Sequence, residues 1–393
     1  MRILFAVGLF SGVAFSTATA QVRDTVRQIL PDTLVAKQSQ DTTRRPLRLC
    51  AAGDVTLGNN LDSAWARRAA ANLWDRYARS AEPDSMLAPL RELFADADVV
   101  LINVEGAIGE GPATKKCSPR STSCYAFRSP RAAAWALRAL GSPTARVVGN
   151  VANNHSHDAG VVGLKATMGL LDSAGVQVTG ADTLATPVIT HRGDTLAFLG
   201  FYTAATSPNA RDLAGVRRHV SRAVASYGTV IVTMHLGAEG ASAQRTRNVD
   251  ETFVGTLRGN PVAFANAAVD AGATAVIGHG PHVLRAGEWK DSSLVLYSLG
   301  NFVNYGTFSL KEPMNRGAVA CLEIAAPRRV RTASIASTVQ IAPGVVLWDW
   351  SGRSAAIIDS LSGLDFPGTG IAVAPEGTVG RRSAIAVPIR KPD

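Results

Sequence analysis

Five of the seven histidines, His155, His157, His235, His279 and His282, fall at or just beyond the end of an apolar run that reads as a β-strand. His191 and His219 do not follow this placement as clearly. Carboxylates stand at two equivalent positions, Asp54 closing "AAGD" and Glu105 following "LINV". The stretch "ANNHSHDAG" adds Asn154, His155 and Asp158 directly after "RVVGNV". Carboxylate oxygens and imidazole nitrogens are the donors that divalent metals take. Imidazole is also the side chain that exchanges protons near neutral pH.

Taken singly, most of these residues have a plainer reading. An aspartate just past a strand is more often a turn or cap residue than a ligand. A lone histidine such as His235 at a buried strand end is usually a core residue. Asn154 opens "NHS", a formal glycosylation acceptor, and Asp158 stands where it would cap a helix starting near Gly160. Glu105 fits a turn poorly, and its two readings weigh evenly. His279 and His282, three apart around Gly280 and Pro281, can be aimed into one space by a tight turn. His157 is left without a role. In open α/β sheets, ligands collect outside the carboxyl ends of strands, where loops converge on one edge. Two carboxylates, an amide and several histidines at successive strand ends are the inventory for one or two divalent metals.

The elements that must position these residues form an α/β pattern. Apolar runs read as strands near 47–52, 99–104, 146–151, 195–201, 229–235, 275–278 and 294–299. Helical stretches fit between them near 61–80, 86–96, 131–140, 160–174 and 261–272. Short apolar strands alternating with helices imply buried strands in layered α/β architecture. After residue 315, "RGAVACLEI" and "RTASIASTVQI" alternate as antiparallel strands do, implying a second sheet or a sheet extension.

The opening "MRILFAVGLFSGVAFSTATAQVRD" has the form of a secretory signal peptide over 1–20. A flexible polar spacer is expected over 21–46, the main domain over 47–325, and a β-rich extension on the same domain over 326–393. No later segment offers roughly 18 uninterrupted apolar residues, so no membrane span is expected after cleavage. The expected location is therefore outside the cytoplasm, periplasmic or extracellular. With 46% hydrophobic and 18% charged residues, the chain can bury a large core. The formal charge of +9 is spread thinly, without a basic cluster interleaved with aromatics, which argues against nucleic acid and for anionic substrates or surfaces. Exported cysteines usually form disulfides. Cys117 and Cys124, bracketing "CSPRSTSC", are the better pair, while Cys50 and Cys321 either pair across neighbouring strands or stay as buried thiols. Arg285 or Arg245 could grip an anionic substrate group in bidentate fashion, with a solvated surface charge as the plainer alternative.

In order and spacing, "GDVTLG", "NVEG", "ANNHSHDAG", "HLGAEG", "GHGPHVLR" and "YSLGNFV" resemble the bacterial capsule synthesis family of poly-gamma-glutamate biosynthesis. That family is similar in turn to calcineurin-like metallophosphoesterases. The resemblance runs from about residue 47 to 325 and implies two facing mixed sheets with helices outside, a four-layer αββα sandwich. It further implies two divalent ions (Mn, Zn, Fe or Ca) held by Asp54, Glu105, Asn154, His235, His279 and His282, with Glu105 bridging. His155 would be the general acid, with Asp158 orienting it. The implied activity is hydrolysis of a phosphoester or related linkage. The alternative is a non-catalytic factor that binds an anionic polymer beside membrane synthase components. The chain departs from the pattern at Thr56, where phosphoesterases carry histidine, and at Leu236, Gly240, Gly280 and Arg285, so the pocket wall differs.

Overall fold

The computed structural model describes residues 45–58, 63–111, 125–204, 207–306, 309–325 and 329–382. The expected signal peptide, nearly all of the spacer, and the Cys117–Cys124 pair lie outside the described residues. No helix among the described residues is long and apolar enough to cross a membrane.

Strand alternation builds the layers, because successive side chains point to opposite faces of a sheet. In strand Leu47–Thr56, Leu47, Leu49 and Ala51 pack into one apolar cluster while Cys50, Ala52 and Val55 pack into another. Val99–Val104 divides likewise, Val99 and Leu101 to the first and Val100, Ile102 and Val104 to the second. The first cluster also takes Leu196, Phe198, Ile231, Ala275 and Ile277 from a second sheet, so it is the core between two facing sheets. Outside the first sheet, the second cluster meets Leu73, Leu87, Phe94, Leu137 and Leu171 from the helical segments. On the far side of the second sheet, Leu199, Phe201, Val230 and Val232 pack on helices Leu213–Tyr227 and Pro261–Asp270. The order is helices, sheet, sheet, helices, the four-layer arrangement that the resemblance implies.

The first sheet has ten strands. Its centre is parallel: Leu47–Thr56, Val99–Val104, Arg146–Asn150 and Val176–Thr179 follow one another, and Asn301–Asn304 pairs with the end of the first strand. Arg316–Ala325 and Arg329–Ile341 then extend the sheet antiparallel, as their alternation predicts. Chain beyond residue 325 therefore continues the same sheet, through Val345–Trp348, Ile371–Val373 and Thr378–Arg381. The β-rich reading of this tail misses helix Arg353–Asp365, whose Ala355 and Ile358 enter the core between the sheets. The second sheet has six strands, with Thr195–Tyr202, Val230–His235, Ala275–His279 and Ser293–Leu296 parallel at its centre.

Cys50 and Cys321 are direct cross-strand partners in the first sheet and form a disulfide. The bridge closes a loop of 271 residues, and in the chain-entropy description such closure removes about 5 kcal/mol of unfolded-state freedom. The double variant Cys50→Ala/Cys321→Ala is expected to lose about 3–5 kcal/mol in urea unfolding, and an unchanged midpoint would contradict this.

Candidate metal centre

Register at the carboxyl ends of the parallel strands lines up polar residues in two rows. In the first sheet the row runs Asn301, Asp54, Asn103, Asn150, each the Cα partner of the next. In the second it runs Tyr202, His235, His279. All but Tyr202 are essentially inaccessible to solvent. Buried polar groups must be hydrogen-bonded, and the rows largely satisfy one another. The Asn103 amide donates to Asp54 Oδ1 at 2.7 Å and lies 3.2 Å from His235 Nδ1. Its carbonyl accepts from Asn150 at 2.9 Å and from Asn153 at 3.3 Å.

Asp54 joins the two sheets. Its Oδ2 accepts from Gly280 N at 3.2 Å and stands 3.3 Å from His282 Nδ1. Gly280 has φ +105, and a Cβ there would meet the His235 ring at 2.9 Å. This departure from the family pattern thus sits where only glycine brings the backbone onto Asp54. His282 also has a positive φ, 57°. Asn301 secures that backbone: its Oδ1 accepts from His282 Nδ1 at 2.9 Å, and its amide donates to His282 O at 3.2 Å. His282 Nε2 then faces Glu105 Oε1 at 3.4 Å. Thr56, another of the departures, donates to Glu105 O at 3.1 Å and helps set that carboxylate's backbone.

Asp54, Glu105 and His282 each place a donor atom within 4.8 Å of the others, all three residues buried. His235 Nε2 lies 3.8 Å from Glu105 Oε1 and is buried without a hydrogen-bond partner among the described residues. Two carboxylates with two imidazoles, one of them unsatisfied, form a donor set suited to a borderline divalent ion such as Mn, Fe or Zn. His279 is placed differently: its Nε2 donates to Ala52 O at 2.9 Å and its Nδ1 lies 3.1 Å from the Thr233 hydroxyl. Both ring nitrogens are engaged inside the fold, so His279 ties the two sheets together instead of offering a lone pair. Asn154 is half-buried on the turn, and its neighbour Asn153 is the amide that enters the polar row.

His155 approaches from the other side, with Nε2 4.0 Å from Glu105 Oε1. Its Nδ1 donates to Asp158 Oδ2 at 2.6 Å, and the Phe127 ring packs on it at a tilt of 31°, with centroids 4.0 Å apart. Asp158 also accepts from Phe127 N at 2.7 Å. The helix Gly160–Ser173 begins at Ala159 with no side-chain cap, so the capping role expected of Asp158 gives way to orienting His155. The His157 ring lies 3.3 Å from the Ser156 hydroxyl, and the His157 carbonyl accepts from Gly160 N at 2.8 Å.

The two arginines expected to hold substrate are occupied. Arg285 is buried and pairs with both oxygens of Glu251, at 2.9 and 2.7 Å. Arg245 pairs with Asp365 at 2.5 Å. Neither is a free grip: the first fixes a loop to a ribbon, the second pins the end of helix Arg353–Asp365.

Charge at the cluster is tightly coupled. Burial works to raise the Asp54 pKa, but its hydrogen bond with His282 and the charges of His282, His235 and His279 bring it well below the usual carboxylate range. Burial opposes protonation of His282 too, yet Glu105, Asp54 and Glu239 together hold its pKa well above the imidazole value. Burial keeps His235 neutral, with His282 and Arg258 reinforcing it against Asp54. Burial likewise lowers His279. In the cation-free chain, the stability from the raised His282 pKa is full below the ordinary imidazole value and is lost as pH rises through the folded value. That from Asp54 is present above the ordinary carboxylate value and is lost as pH falls through its depressed one.

The family described as "Bacterial capsule synthesis protein PGA_cap" matches residues 48–306. The PGA biosynthesis protein CapA of Bacillus subtilis (strain 168) is 31% identical over 174 residues, covering 39% of this chain and 41% of that protein. The capsule biosynthesis protein CapA of Bacillus anthracis is 30% identical over 173 residues, 39% of each chain. The chain thus spans about two fifths of the length of these relatives. Among solved structures, a putative 5'-nucleotidase from Staphylococcus aureus shares 12% identity at a TM-score of 0.43, covering 77% of this chain and 54% of that one.

A cation at this cluster must displace the proton that His282 carries near neutral pH. Calorimetric titration with Mn(II) at pH 7 is therefore expected to release about one proton per ion bound, read as a dependence of the heat on buffer ionisation enthalpy. Heats identical in all buffers would contradict the assignment.

Proposed function

The chain belongs to the bacterial capsule synthesis protein family, and from that premise we propose that it is an exported, divalent-metal-dependent hydrolase acting on a phosphoester or a related linkage of an anionic surface polymer. The observation that carries this reading is the buried Asp54–Glu105–His282 cluster with an oriented histidine, His155, beside it. A divalent ion held there would activate water and screen the charge of the scissile group. His155 supplies the proton for the leaving oxygen. Its Nδ1–H is committed to Asp158, which fixes the tautomer and turns Nε2 toward Glu105 and the reacting group. Phe127 covers the ring face and restricts its rotation. Asp54, Glu105 and His282, with His235, are the ligands this reading assigns, and Asn103 and Asn301 hold them in place. An oxidising compartment, periplasmic or extracellular, agrees with the Cys50–Cys321 bridge.

A second reading draws on the +9 charge and on the relatives' names, which speak of biosynthesis. On it, the protein binds nascent anionic polymer, without turnover, beside membrane synthase components. Glu105→Gln separates the two, because polymer production in cells should survive it only on the second.

His155→Ala is expected to lower phosphoester turnover by about 10²–10⁴-fold while the bound-metal content stays at the wild-type level. Loss of metal in this variant would make His155 a ligand, and retained turnover would remove it from the chemistry.

A further inference from the structure

The loop that follows His235 brings a third carboxylate to the cluster. Glu239 Oε2 stands 4.0 Å from His282 Nε2, on the nitrogen that faces Glu105. Its other oxygen is held by the Arg258 guanidinium. Arg258 is itself 8% exposed, donates to the Tyr202 hydroxyl at 3.0 Å, and lies over the rings of Tyr202 and Phe253. Tyr202 in turn packs edge-on against His235, with centroids 5.7 Å apart. Glu239 is thereby tied through its partners to the same polar row that places His235.

The loop is also fixed along its backbone. Gly237 N donates to Arg258 O and Gly240 N to Pro281 O, both at 3.0 Å. Ala238 N donates to Glu251 at 2.7 Å, and Arg285 binds both Glu251 and the Ala238 carbonyl. The ribbon of Glu251–Phe253 and Thr256–Gly259 thus frames the loop on one side and the Pro281 turn on the other. Such a frame holds a side chain to a fixed position, as a coordinating group requires.

We propose that Glu239 is a further ligand of the cation held by Asp54, Glu105 and His282, with Arg258 neutralising its outer oxygen. The proposal rests on the metal-dependent reading above. Charge supports it: with neutral imidazoles, Arg258 and one divalent ion together balance the carboxylates of Asp54, Glu105 and Glu239. Without Arg258 the third carboxylate would leave the buried cluster with excess negative charge, which is costly in a site shielded from water.

The test is calorimetric titration of the full-length, chelator-treated protein with Mn(II), wild type beside Glu239→Gln, with the thermal midpoint of each metal-free protein recorded. Glutamine keeps an oxygen for Arg258, and so the loop, but drops the charge. The expected result is a Kd raised about tenfold or more with an unchanged metal-free midpoint. Equal affinity and stoichiometry in the two proteins overturn the proposal while leaving the metal-dependent reading intact. A wild type that binds no Mn(II) overturns both. If Glu239→Gln lowers the metal-free midpoint, Glu239→Asp keeps the charge and draws the carboxylate back from His282. Weaker binding there supports the proposal, and undiminished binding overturns it.

Discussion

A carboxylate removed from water costs several kcal/mol unless hydrogen bonds and opposite charge replace its hydration. Asp54 is such a group, fully buried where the two sheets meet. It is answered by the Asn103 amide from its own sheet, by Gly280 N from the other, and by His282. Each of these has a structural requirement of its own. Asn103 must be in register with Asp54, Gly280 must adopt a backbone that other residues resist, and His282 must be held in a left-handed conformation by Asn301. Much of the site geometry follows from satisfying this one anion.

The same requirement explains why the site is at one edge of the sandwich. Between the sheets, apolar residues of both inner faces pack against one another. At the carboxyl ends of the parallel strands the core gives way to two facing polar rows, and the following loops can reach over them. Antiparallel strands extend the first sheet away from this edge and supply bulk, the disulfide and a frame without contributing donors. Rigid strands fix Asp54 and His235, and short loops fix Glu105, His155, Glu239 and His282. That division suits a centre whose donors must be placed to within a fraction of an ångström.

Much of this was legible in the sequence. Apolar runs mark most of the central strands to within a few residues, Val176–Thr179 and Asn301–Asn304 excepted, and polar residues at their ends mark the edge where the buried cluster lies. Helix Leu213–Tyr227 falls where no element is expected from the sequence, although Asp212 caps it, Val216, Val220, Ala223 and Val224 repeat at helical spacing, and Gly228 ends it. What stayed hidden depends on long-range register. The spacing of His279 and His282 cannot say that one ring turns into Thr233 and Ala52 while the other turns toward Glu105. Arg285 and Arg245 looked available because their partners, Glu251 and Asp365, lie 34 and 120 residues away. Asn103 stands two residues before Glu105, and an amide inside an apolar strand declares its purpose only beside Asp54 and His235.

On the reading proposed above, the buried carboxylate and imidazole donors form one cation site. The most direct measurement is anomalous diffraction from crystals soaked in Mn(II), which locates the ion without reference to activity. An anomalous peak is expected within coordinating distance of Asp54, Glu105 and His282. Fully occupied Mn(II) sites elsewhere with no peak at that cluster would contradict it.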